Sequence, residues 1–373
     1  MSHILSALEA RKRSGNLRSL AGIEGVDFCS NDYLGFARFS LETSPIESGS
    51  TGSRLISGHN TALAALEDDI AAFHGFESAL LFSSGYAANT GLMSCIASKD
   101  DAILSDELIH ASLIDGIRLS YAKRERFAHN DLKDLEKRLE ALSGEITGQI
   151  YVVVEALYSM DGDIAPLAQM SKICQRFNAA LIVDEAHSIG IYGKDGRGLI
   201  AELGLEDKIF AAIYTFGKAV GFHGAVVAGN SVLRNYLINF CRPFIYTTAP
   251  SPQTVAATKL AYTRFQNGEA ERGALQSRIN YFGKTVRTAP YQNARWLESD
   301  SPIQALIVPG NARAKSLETY LQNNGFAVKA ILSPTVAKGA ERIRLSLHSF
   351  NTEAELDELA KCLKEFLNEG KTA

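Results

Sequence analysis

The stretch ALIVDEAHSIG, residues 180–190, decides the fold of this chain. Its apolar residues are continuous rather than alternating, which is typical of a strand that is buried on both faces of a parallel sheet. The strand ends at Asp184, and His187 follows three residues later. Ligands of such sheets bind beyond the carboxyl ends of the strands, so both side chains are candidates for a functional site.

Short apolar runs of the same kind recur on either side of this stretch. They lie at residues 78–82, 101–105, 150–156, 209–214 and 224–229. Helical periodicity separates most of them, for example at 61–74, 132–142 and 166–177. This alternation predicts an α/β fold with a mainly parallel central sheet and helices on both faces. Glu155 and Ser159 also fall at or just past a strand end of this sheet.

The pattern changes after about residue 266. Strands are predicted at 304–308, 326–332 and 342–347, with helices at 312–324 and 352–367, as in a small α+β domain. At the other end, the first ~20 residues have the spacing of an amphipathic helix. We therefore predict an N-terminal helix and extension at 1–45, a large domain at 46–265 and a small C-terminal domain at 266–373.

Composition bounds the class of protein. The chain has 373 residues, of which 46% are hydrophobic and 21% charged, and its net charge of −4 provides no basic field for nucleic acid. No apolar run is long enough to span a bilayer or to form a signal peptide. The five cysteines are scattered, without a C-x-x-C pair, as expected for reduced thiols in a cytoplasmic protein. We predict no metal site, no nucleic-acid partner and no membrane partner.

The letters D-E-A-H at 184–187 also occur in ATP-dependent helicases, so an ATPase is a competing interpretation. An ATPase needs a G-x-x-x-x-G-K-[ST] loop upstream of the acidic strand. The two G-K-T triplets, at 283–285 and 370–372, both lie downstream, and Arg278 and Glu365 occupy the positions of the required earlier glycine. The order and the missing glycines argue against this interpretation.

A different set of residues fits the chemistry of an aldehyde cofactor. Lys218 follows the predicted strand 209–214 in the apolar, glycine-rich stretch YTFGKAVGFHGA, where desolvation would favour the neutral, nucleophilic amine. Pyridoxal phosphate is held by lysine as a Schiff base and needs an acid at its pyridine nitrogen, a position that Asp184 fits. The stretch SSGYAAN, residues 83–89, follows a strand and opens a helix, as a phosphate site requires. Taken singly, each feature also fits a solvated lysine, a loop carboxylate or an ordinary helix start.

As an ordered set, these motifs resemble those of the α-oxoamine synthase group of fold-type I pyridoxal-phosphate enzymes. The resemblance runs nearly end to end. It rests on SNDYLGFA (30–37), GSTGSRLISGHN (49–60), FSSGYAAN (82–89), SDELIHASLIDG (105–116), EALYSMDGDIAPL (155–167), VDEAHSIGIYGKDGRG (183–198), TFGKAVGFHGA (215–225), YTTAPSP (246–252) and RIRLSLHS (342–349). It implies pyridoxal 5'-phosphate as cofactor and the fold of that group, a mainly parallel sheet plus a smaller C-terminal α+β domain.

The resemblance also implies roles around the cofactor ring. Lys218 is expected to bind the aldehyde and then to act as base and acid at the substrate Cα. Asp184 is expected to pair with the pyridinium nitrogen, and His187 and Ser159 to bond the phenolic oxygen. His110 is expected to stack on the ring and to help orient the substrates.

Further positions are implied for the phosphate. The backbone amides of Gly85 and Tyr86 and the hydroxyl of Thr215 are expected to hold it. Thr247 and Thr248 are expected to reach the phosphate of a neighbouring subunit, because enzymes of this group are homodimers that build each site at the subunit interface.

Substrate contacts are implied as well. The alternation in RIRLSL places Arg342 and Arg344 on one face of a strand, so spacing alone does not choose between them as the clamp for a carboxylate. The family pattern chooses Arg344. Asn31 and Thr335 correspond to further substrate contacts, and Arg18 to a residue near the acyl-carrier end.

The implied activity is the decarboxylating condensation of an amino acid with an acyl thioester. The resemblance is greatest to members that join L-alanine to a pimeloyl group, carried by CoA or by an acyl carrier protein, in biotin synthesis. Members that use glycine and another acyl-CoA are the alternative, and the run SIGIY at 188–192 departs from the Gly-Thr-Gly type of run common in the group. A pyridoxal-phosphate enzyme of another reaction type, such as an aminotransferase or a C–S lyase, is a second alternative.

Overall fold

The computed structural model describes residues 2–18, 20, 22, 24–41 and 46–370. They fold into two compact units, each made of more than one chain segment. The first unit contains the described residues up to Tyr33, the short segment Ser159–Asp163 and the described residues from Ala270 onward. The second unit contains the described residues of Leu34–Tyr158 and Ile164–Glu269.

The strands are numbered in chain order. They are β1 (Val26–Asp27), β2 (Ser78–Phe82), β3 (Ala102–Asp106), β4 (Lys123–Phe127), β5 (Ile150–Glu155), β6 (Ala180–Asp184), β7 (Ala211–Thr215), β8 (Ala225–Gly229), β9 (Arg295–Trp296), β10 (Ile303–Ile307), β11 (Phe326–Ala327), β12 (Lys329–Ile331) and β13 (Arg342–Ser346).

The helices follow the same numbering. They are α1 (Ser2–Arg13), α2 (Thr61–His74), α3 (Gly85–Cys95), α4 (Ala111–Leu119), α5 (Leu132–Ser143), α6 (Leu167–Arg176), α7 (Leu199–Glu202), α8 (Ser231–Phe240), α9 (Arg242–Ile245), α10 (Pro252–Gln266), α11 (Glu269–Thr285), α12 (Asn311–Asn323) and α13 (Glu353–Glu369). Within the described ranges, no helix is both long and apolar enough to cross a membrane.

The second unit is built on a seven-stranded sheet in the order β2-β8-β7-β6-β5-β3-β4. Strands β4, β3, β5, β6 and β7 pair in parallel, and β8 is antiparallel to both of its neighbours. Every residue of β3, β5, β7 and β8 is buried, which explains their continuous apolar sequences. The α/β fold with a mainly parallel sheet is confirmed.

Local signals set the ends of the main helices. The Asn60 side chain accepts a hydrogen bond from the Leu63 amide at the start of α2, and Gly75 ends the helix in the left-handed conformation. Thr352 and Glu355 form a reciprocal capping box at the start of α13. Helix α2 begins at the predicted residue 61, and α13 begins one residue after the predicted 352 because Thr352 is its cap.

The first unit contains two small sheets. Strands β12, β13, β10 and β9 form an antiparallel sheet in that order, and the two-residue strands β1 and β11 pair in parallel. The predicted strand 326–332 is therefore two short strands, β11 and β12, which belong to different sheets. Helix α1 ends at Arg13, earlier than the first ~20 residues suggest, and none of its residues is buried.

The units divide the chain at other positions than the predicted domains. The change from the first unit to the second falls at residues 33/34, whereas the prediction placed it at 45/46, and residue 45 lies outside the described residues. The N-terminal segment belongs to the first unit because β1 pairs with β11. The second limit falls at 269/270, close to the predicted 265/266.

Candidate active site

The carboxyl ends of β6 and β7 lie side by side in the second unit. The two strands are parallel neighbours, with Asp184 opposite Ile213, so Thr215 ends the next strand two residues further on. Asp184 is buried, and its Oδ1 accepts a hydrogen bond of 2.8 Å from the Ala186 amide. His187 is also buried, in the turn that follows β6. The carboxyl end of β6 therefore carries a buried carboxylate, that of Asp184.

The start of α3 lies against the end of β7. The Ser84 side chain caps the helix by accepting a hydrogen bond from the Ala87 amide. A Cβ placed on Gly85 would lie 2.5 Å from Thr215 Cγ2, so only glycine allows this approach. Thr215 Oγ1 is buried and has no hydrogen-bond partner among the described residues. The Gly85 and Tyr86 amides open the helix, where amides have no partner within it. An orphaned hydroxyl beside free amides is a site suited to a phosphate.

Lys218 lies in a closed loop just after β7. The Phe222 amide donates to Phe216 O at 2.8 Å, and the Gly221 amide donates to Lys218 O at 2.8 Å. Gly221 has a φ of +69°, and a Cβ there would lie 2.4 Å from the Ala37 amide nitrogen. The loop is therefore held tightly at its base, and the Lys218 side chain is half-buried.

A chain of hydrogen bonds joins Asp184 to His110. The Asn89 side-chain nitrogen donates to Asp184 Oδ2 at 2.7 Å and to Ser112 Oγ at 3.0 Å. Ser112 Oγ in turn lies 2.7 Å from His110 Nδ1. His110 also caps α4, because its Nδ1 accepts a bond of 3.2 Å from the Ser112 amide.

The electrostatics of His110 connect it to the other predicted residues. Partial burial lowers the pKa of His110 below its usual value. The Asp184 carboxylate acts to raise this pKa and the Lys218 ammonium acts to lower it. Asp184 and Lys218 therefore both lie within electrostatic reach of His110.

Glu185 has a structural role. It is fully buried, and its carboxylate accepts hydrogen bonds from the Leu199 and Ile200 amides and from the Ser188 hydroxyl. A Cβ on Gly198 would lie 2.6 Å from Glu185 Oε2. Burial raises the pKa of Glu185 to about 8. The carboxyl thus joins the end of β6 to α7, and it is not offered to a ligand.

Thr247 and Thr248 lie at the surface of the second unit, just after α9. Both line a cavity of about 410 Å³, together with Ser83 and the Gly49–Ser50 segment. Both threonines are therefore exposed residues near the strand-to-helix connection that opens α3.

Arg344, in the first unit, has only neutral partners. Its Nε donates to Ser159 O at 2.6 Å, its Nη1 to Ser346 Oγ at 3.0 Å and its Nη2 to Asn31 Oδ1 at 3.0 Å. Asn31 is held in turn by the Tyr33 hydroxyl at 3.1 Å. No carboxylate among the described residues balances the charge of Arg344. The Tyr33 hydroxyl is a further hydrogen-bond partner of the guanidinium. Because a guanidinium has five N–H donors, these neutral partners still leave it a donor for a carboxylate ligand.

Arg342 lies on the same strand but has a different environment. Its Nη1 forms an ion pair with Asp161, and its Nε donates to Ala340 O at 3.0 Å. The charge of Arg342 is thus already balanced within the first unit. The structure therefore separates two arginines that spacing alone left equivalent, and it favours Arg344 for binding an anion.

Two predicted substrate residues have no such support. Thr335 is exposed, and its amide donates to Leu332 O at 2.9 Å. Arg18 is exposed and lies beyond the end of α1. Neither joins the cluster formed by Arg344, Asn31 and Ser159.

Sequence reasoning did not single out Asn89 and Ser112, whose hydrogen bonds link Asp184 to His110. Both occur in motifs that carry the resemblance, at the end of FSSGYAAN and in SDELIHASLIDG. Asn89 stands four residues after Gly85 in α3, so the two share a helix face. That spacing is the one signal in the sequence that could have pointed to Asn89.

The second unit fits pyridoxal phosphate. The orphaned Thr215 hydroxyl and the start of α3 suit the phosphate, Asp184 suits the pyridinium nitrogen and the half-buried Lys218 suits the aldehyde. Asp184 is also held from two directions, by the Ala186 amide and by Asn89.

Comparison with known proteins places the chain among enzymes of this chemistry. The family model described as aminotransferase class I and II matches residues 23–363. An 8-amino-7-oxononanoate synthase from Marinobacter nauticus is 38% identical over 384 residues, covering 97% of this chain and 96% of that protein.

Solved structures agree with this placement. A serine palmitoyltransferase from S. paucimobilis with a bound PLP-myriocin aldimine matches with a TM-score of 0.85 and 27% identity, covering 97% of this chain and 96% of that one. An 8-amino-7-oxononanoate synthase from Francisella tularensis matches with a TM-score of 0.75 and 31% identity, covering 91% and 97%.

Proposed function

The chain belongs to the aminotransferase class I and II family, and on that premise we propose that it is an 8-amino-7-oxononanoate synthase of biotin biosynthesis. It would condense L-alanine with a pimeloyl thioester, carried by CoA or by a carrier protein, and release CO₂ and a free thiol. The observation that carries the proposal is the 38% identity to a synthase of that name over nearly the whole of both chains. Identity to the serine palmitoyltransferase is 27%.

The cofactor is pyridoxal 5'-phosphate, which supplies an aldehyde for the amino group of the substrate and a ring that withdraws electron density from its Cα. Lys218 Nζ, as the neutral amine, takes the proton from Cα and later returns one there. Asp184 would hold a proton at the pyridine nitrogen, and His187 and Ser159 would donate towards the phenolic oxygen. Thr215 and the amides of α3 would hold the phosphate.

Arg344 binds the carboxylate of the amino acid. All of its partners are neutral groups, so its charge is not already paired and is available to a carboxylate. Asn31 holds one edge of the guanidinium in place through the bond to Nη2. Thr335 and Arg18 remain candidate contacts for the substrates on the resemblance alone.

The overall reaction needs one proton from the solvent and no other reagent. The alanine Cα forms a bond to the thioester carbonyl carbon, and the thiolate leaves with its electron pair and takes up a proton. The former alanine carboxylate is then lost as CO₂, and a proton returns to Cα to give the amino ketone. His110 orients the carboxylate and the incoming thioester.

A panel of amino acids crossed with acyl thioesters tests the proposal, scored by thiol release. We expect alanine with a pimeloyl thioester to have the highest kcat/KM and Lys218→Ala to release no thiol above background. If glycine with a short acyl-CoA were the best pair, the chain would be the alternative type of synthase and the proposal would be contradicted. Serine with palmitoyl-CoA as the best pair would also contradict the proposal.

The proposed assembly is a homodimer in which Thr247 and Thr248 contact the phosphate bound by the other subunit. Their exposure in a cavity beside Ser83 supports this role. We also propose a cytoplasmic location, because none of the five cysteines, all of which lie in the described ranges, forms a disulfide, as in a reducing compartment.

A further inference from the structure

The side-chain amide of Asn89 connects two parts of the site that have different tasks. Asn89 is 2% exposed, and its two N–H groups are divided between Asp184 Oδ2 and Ser112 Oγ. An ionised carboxylate can accept hydrogen bonds but has none to donate, so the nitrogen of the Asn89 amide must face Asp184. Ser112 Oγ therefore accepts from Asn89, and its own proton is free to point elsewhere.

The direction of the next bond follows from the backbone. The Ser112 amide N–H, which can only donate, points at His110 Nδ1 at 3.2 Å. Nδ1 must therefore carry a lone pair, and the Ser112 hydroxyl donates to the same atom over 2.7 Å. With both bonds directed at Nδ1, the ring is neutral and its proton lies on Nε2. No residue of the described chain is a hydrogen-bond partner of Nε2.

We propose that Asn89 and Ser112 are positioning residues, which fix the Asp184 carboxylate and hold His110 as a neutral ring with its proton on Nε2. His110 then offers a substrate one hydrogen-bond donor, and it has no spare proton to give. The return of a proton to Cα falls to Lys218. That last step rests on the proposed function, whereas the positioning of Asp184 and His110 does not.

Other charges also act on the ring. Asp184 and Asp115 favour a protonated imidazole, and Lys218 disfavours one. Two acidic groups thus raise the pKa of His110 and one basic group lowers it, so these charges by themselves do not favour the neutral imidazole. The two donors of Ser112 add a preference for it, since a proton on Nδ1 would break both bonds at once.

The direct test is nitrogen NMR of the holoenzyme labelled at histidine, with His110→Gln used to assign the signal. In the wild type at pH 8 we expect a protonated Nε2 and an unprotonated Nδ1. Ser112→Ala removes the hydroxyl donor and keeps the amide, so the titration of His110 should move upward by roughly half a pH unit or more. A protonated Nδ1 in the wild type would overturn the proposal.

The matched control is Thr90→Val. Thr90 Oγ1 donates to the carbonyl of Ser112 at 3.2 Å, so this variant loses a hydrogen bond to the same residue without touching either donor to His110. Its His110 titration should equal that of the wild type. Equal shifts in Thr90→Val and Ser112→Ala would mean that the effect is general loosening, and the proposal would be wrong.

Cofactor affinity separates the two positioning residues. Asn89→Leu removes the donor to Asp184 and should raise the dissociation constant of pyridoxal phosphate about tenfold or more, measured by titrating the cofactor into the cofactor-free chain. Asn89→Ser serves the same purpose with a smaller change of volume if the leucine variant does not fold. Ser112→Ala leaves the bond to Asp184 in place and should change this constant less than about twofold.

These readouts do not use turnover. If the thiol-release panel selected another pair of substrates, the proposed function would fail while the tautomer and the affinities still stood. If Asn89→Leu and Asn89→Ser bound the cofactor as tightly as the wild type, the positioning role would fail whatever the substrate.

Discussion

Whether a charged side chain can bind a ligand depends on the partners that already balance its charge. Arg342 and Arg344 are two residues apart on β13 and both are largely buried, yet Arg342 is paired with Asp161 and Arg344 bonds only neutral oxygens. A buried cation without a carboxylate is costly unless a ligand supplies one. That difference could not be read from the sequence, because Asp161 lies 181 residues from Arg342.

Replacing the two arginines should therefore give different defects. We expect Arg344→Gln to raise the KM for the amino acid by roughly 30-fold or more, as when one partner of a hydrogen-bonded charge pair is lost. The KM for the acyl thioester should change little, because the lost contact is to the amino-acid carboxylate. Steady-state kinetics with each substrate varied in turn measures both constants.

Arg342→Gln is the matched control. It leaves Asp161 without its partner, so it should lower the free energy of unfolding and leave the KM for the amino acid near the wild-type value. If the two variants exchanged these phenotypes, Arg342 would be the substrate residue.

Thr215 allows a test in which two measurements move in opposite directions. Its hydroxyl is buried and has no partner in the described chain, so it costs stability in the absence of a ligand. We expect Thr215→Val to weaken pyridoxal-phosphate binding by about tenfold, since a bond to a charged group is lost. The cofactor-free variant should unfold at the same or a higher urea concentration than the wild type. A variant that binds normally would exclude Thr215 from the phosphate site.

At the scale of elements, the strands and helices around the site were largely predictable. The runs ending at Asp184 and before Thr215 are apolar because both faces of their strands are covered, and that pattern is local. Strand β4, with the sequence KRERF, was missed because it is an edge strand that pairs with β3 alone and leaves alternate residues more exposed. The antiparallel direction of β8 was also not apparent, since direction depends on the path of the chain between strands.

The loop that carries Lys218 should be sensitive to one methyl group at its base. Gly221→Ala forces a left-handed residue to carry a Cβ and brings it within 2.4 Å of the Ala37 nitrogen. Strain and overpacking of about 1–3 kcal/mol each should displace the loop. We expect the purified variant to contain substantially less than one cofactor per chain, measured by visible absorbance.

Gly217→Ala is the control for this prediction. Gly217 belongs to the same loop, but the one atom near a Cβ there is Phe222 O, at 3.8 Å. This variant should bind the cofactor as the wild type does. Equal loss in both variants would show that the loop tolerates no alanine at all, rather than a specific contact at Gly221.

Helix α2 should make stability depend on pH through His74. The ring is fully buried, stacks on Tyr214 at 3.7 Å, and bonds Tyr262 and the Arg197 carbonyl. Burial lowers its pKa from 6.5 to about 3. At pH values between the two pKa values, His74 is protonated in the unfolded chain and neutral in the folded chain. The free energy of unfolding therefore falls as the pH drops below 6.5.

The slope should approach 1.4 kcal/mol per pH unit for this one group. Urea unfolding at pH 6.0 and 5.0 measures it, with His74→Phe as the comparison because it keeps a ring in place. His74→Phe should be less stable at pH 6.0 but should lose less on going to pH 5.0. Parallel losses would show that His74 does not titrate in this window.

At the scale of the whole molecule, we predicted three consecutive regions, whereas the described residues form two units that are each made of more than one chain segment. The helical and strand periods after residue 266 are local, so the second limit was close to the observed 269/270. The assignment of Ser159–Asp163 to the first unit depends on bonds to distant residues, such as those from Arg344 and Arg342. The proposed homodimer can also be tested, because Thr247 and Thr248 are expected to contact the phosphate bound by the other subunit.

Mixed dimers decide whether Thr247 and Thr248 act on their own subunit or on the other. In a dimer of one Lys218→Ala chain and one Thr247→Ala/Thr248→Ala chain, shared sites would place both defects in one site and leave the second intact. Because half of randomly paired chains are mixed, an equal mixture should recover roughly a quarter of wild-type activity, assayed at low cofactor concentration where each parent is inactive. If the threonines act within their own chain, every site carries a defect and no activity returns. Thiol release, with the mixed species verified by distinct affinity tags, distinguishes the two arrangements.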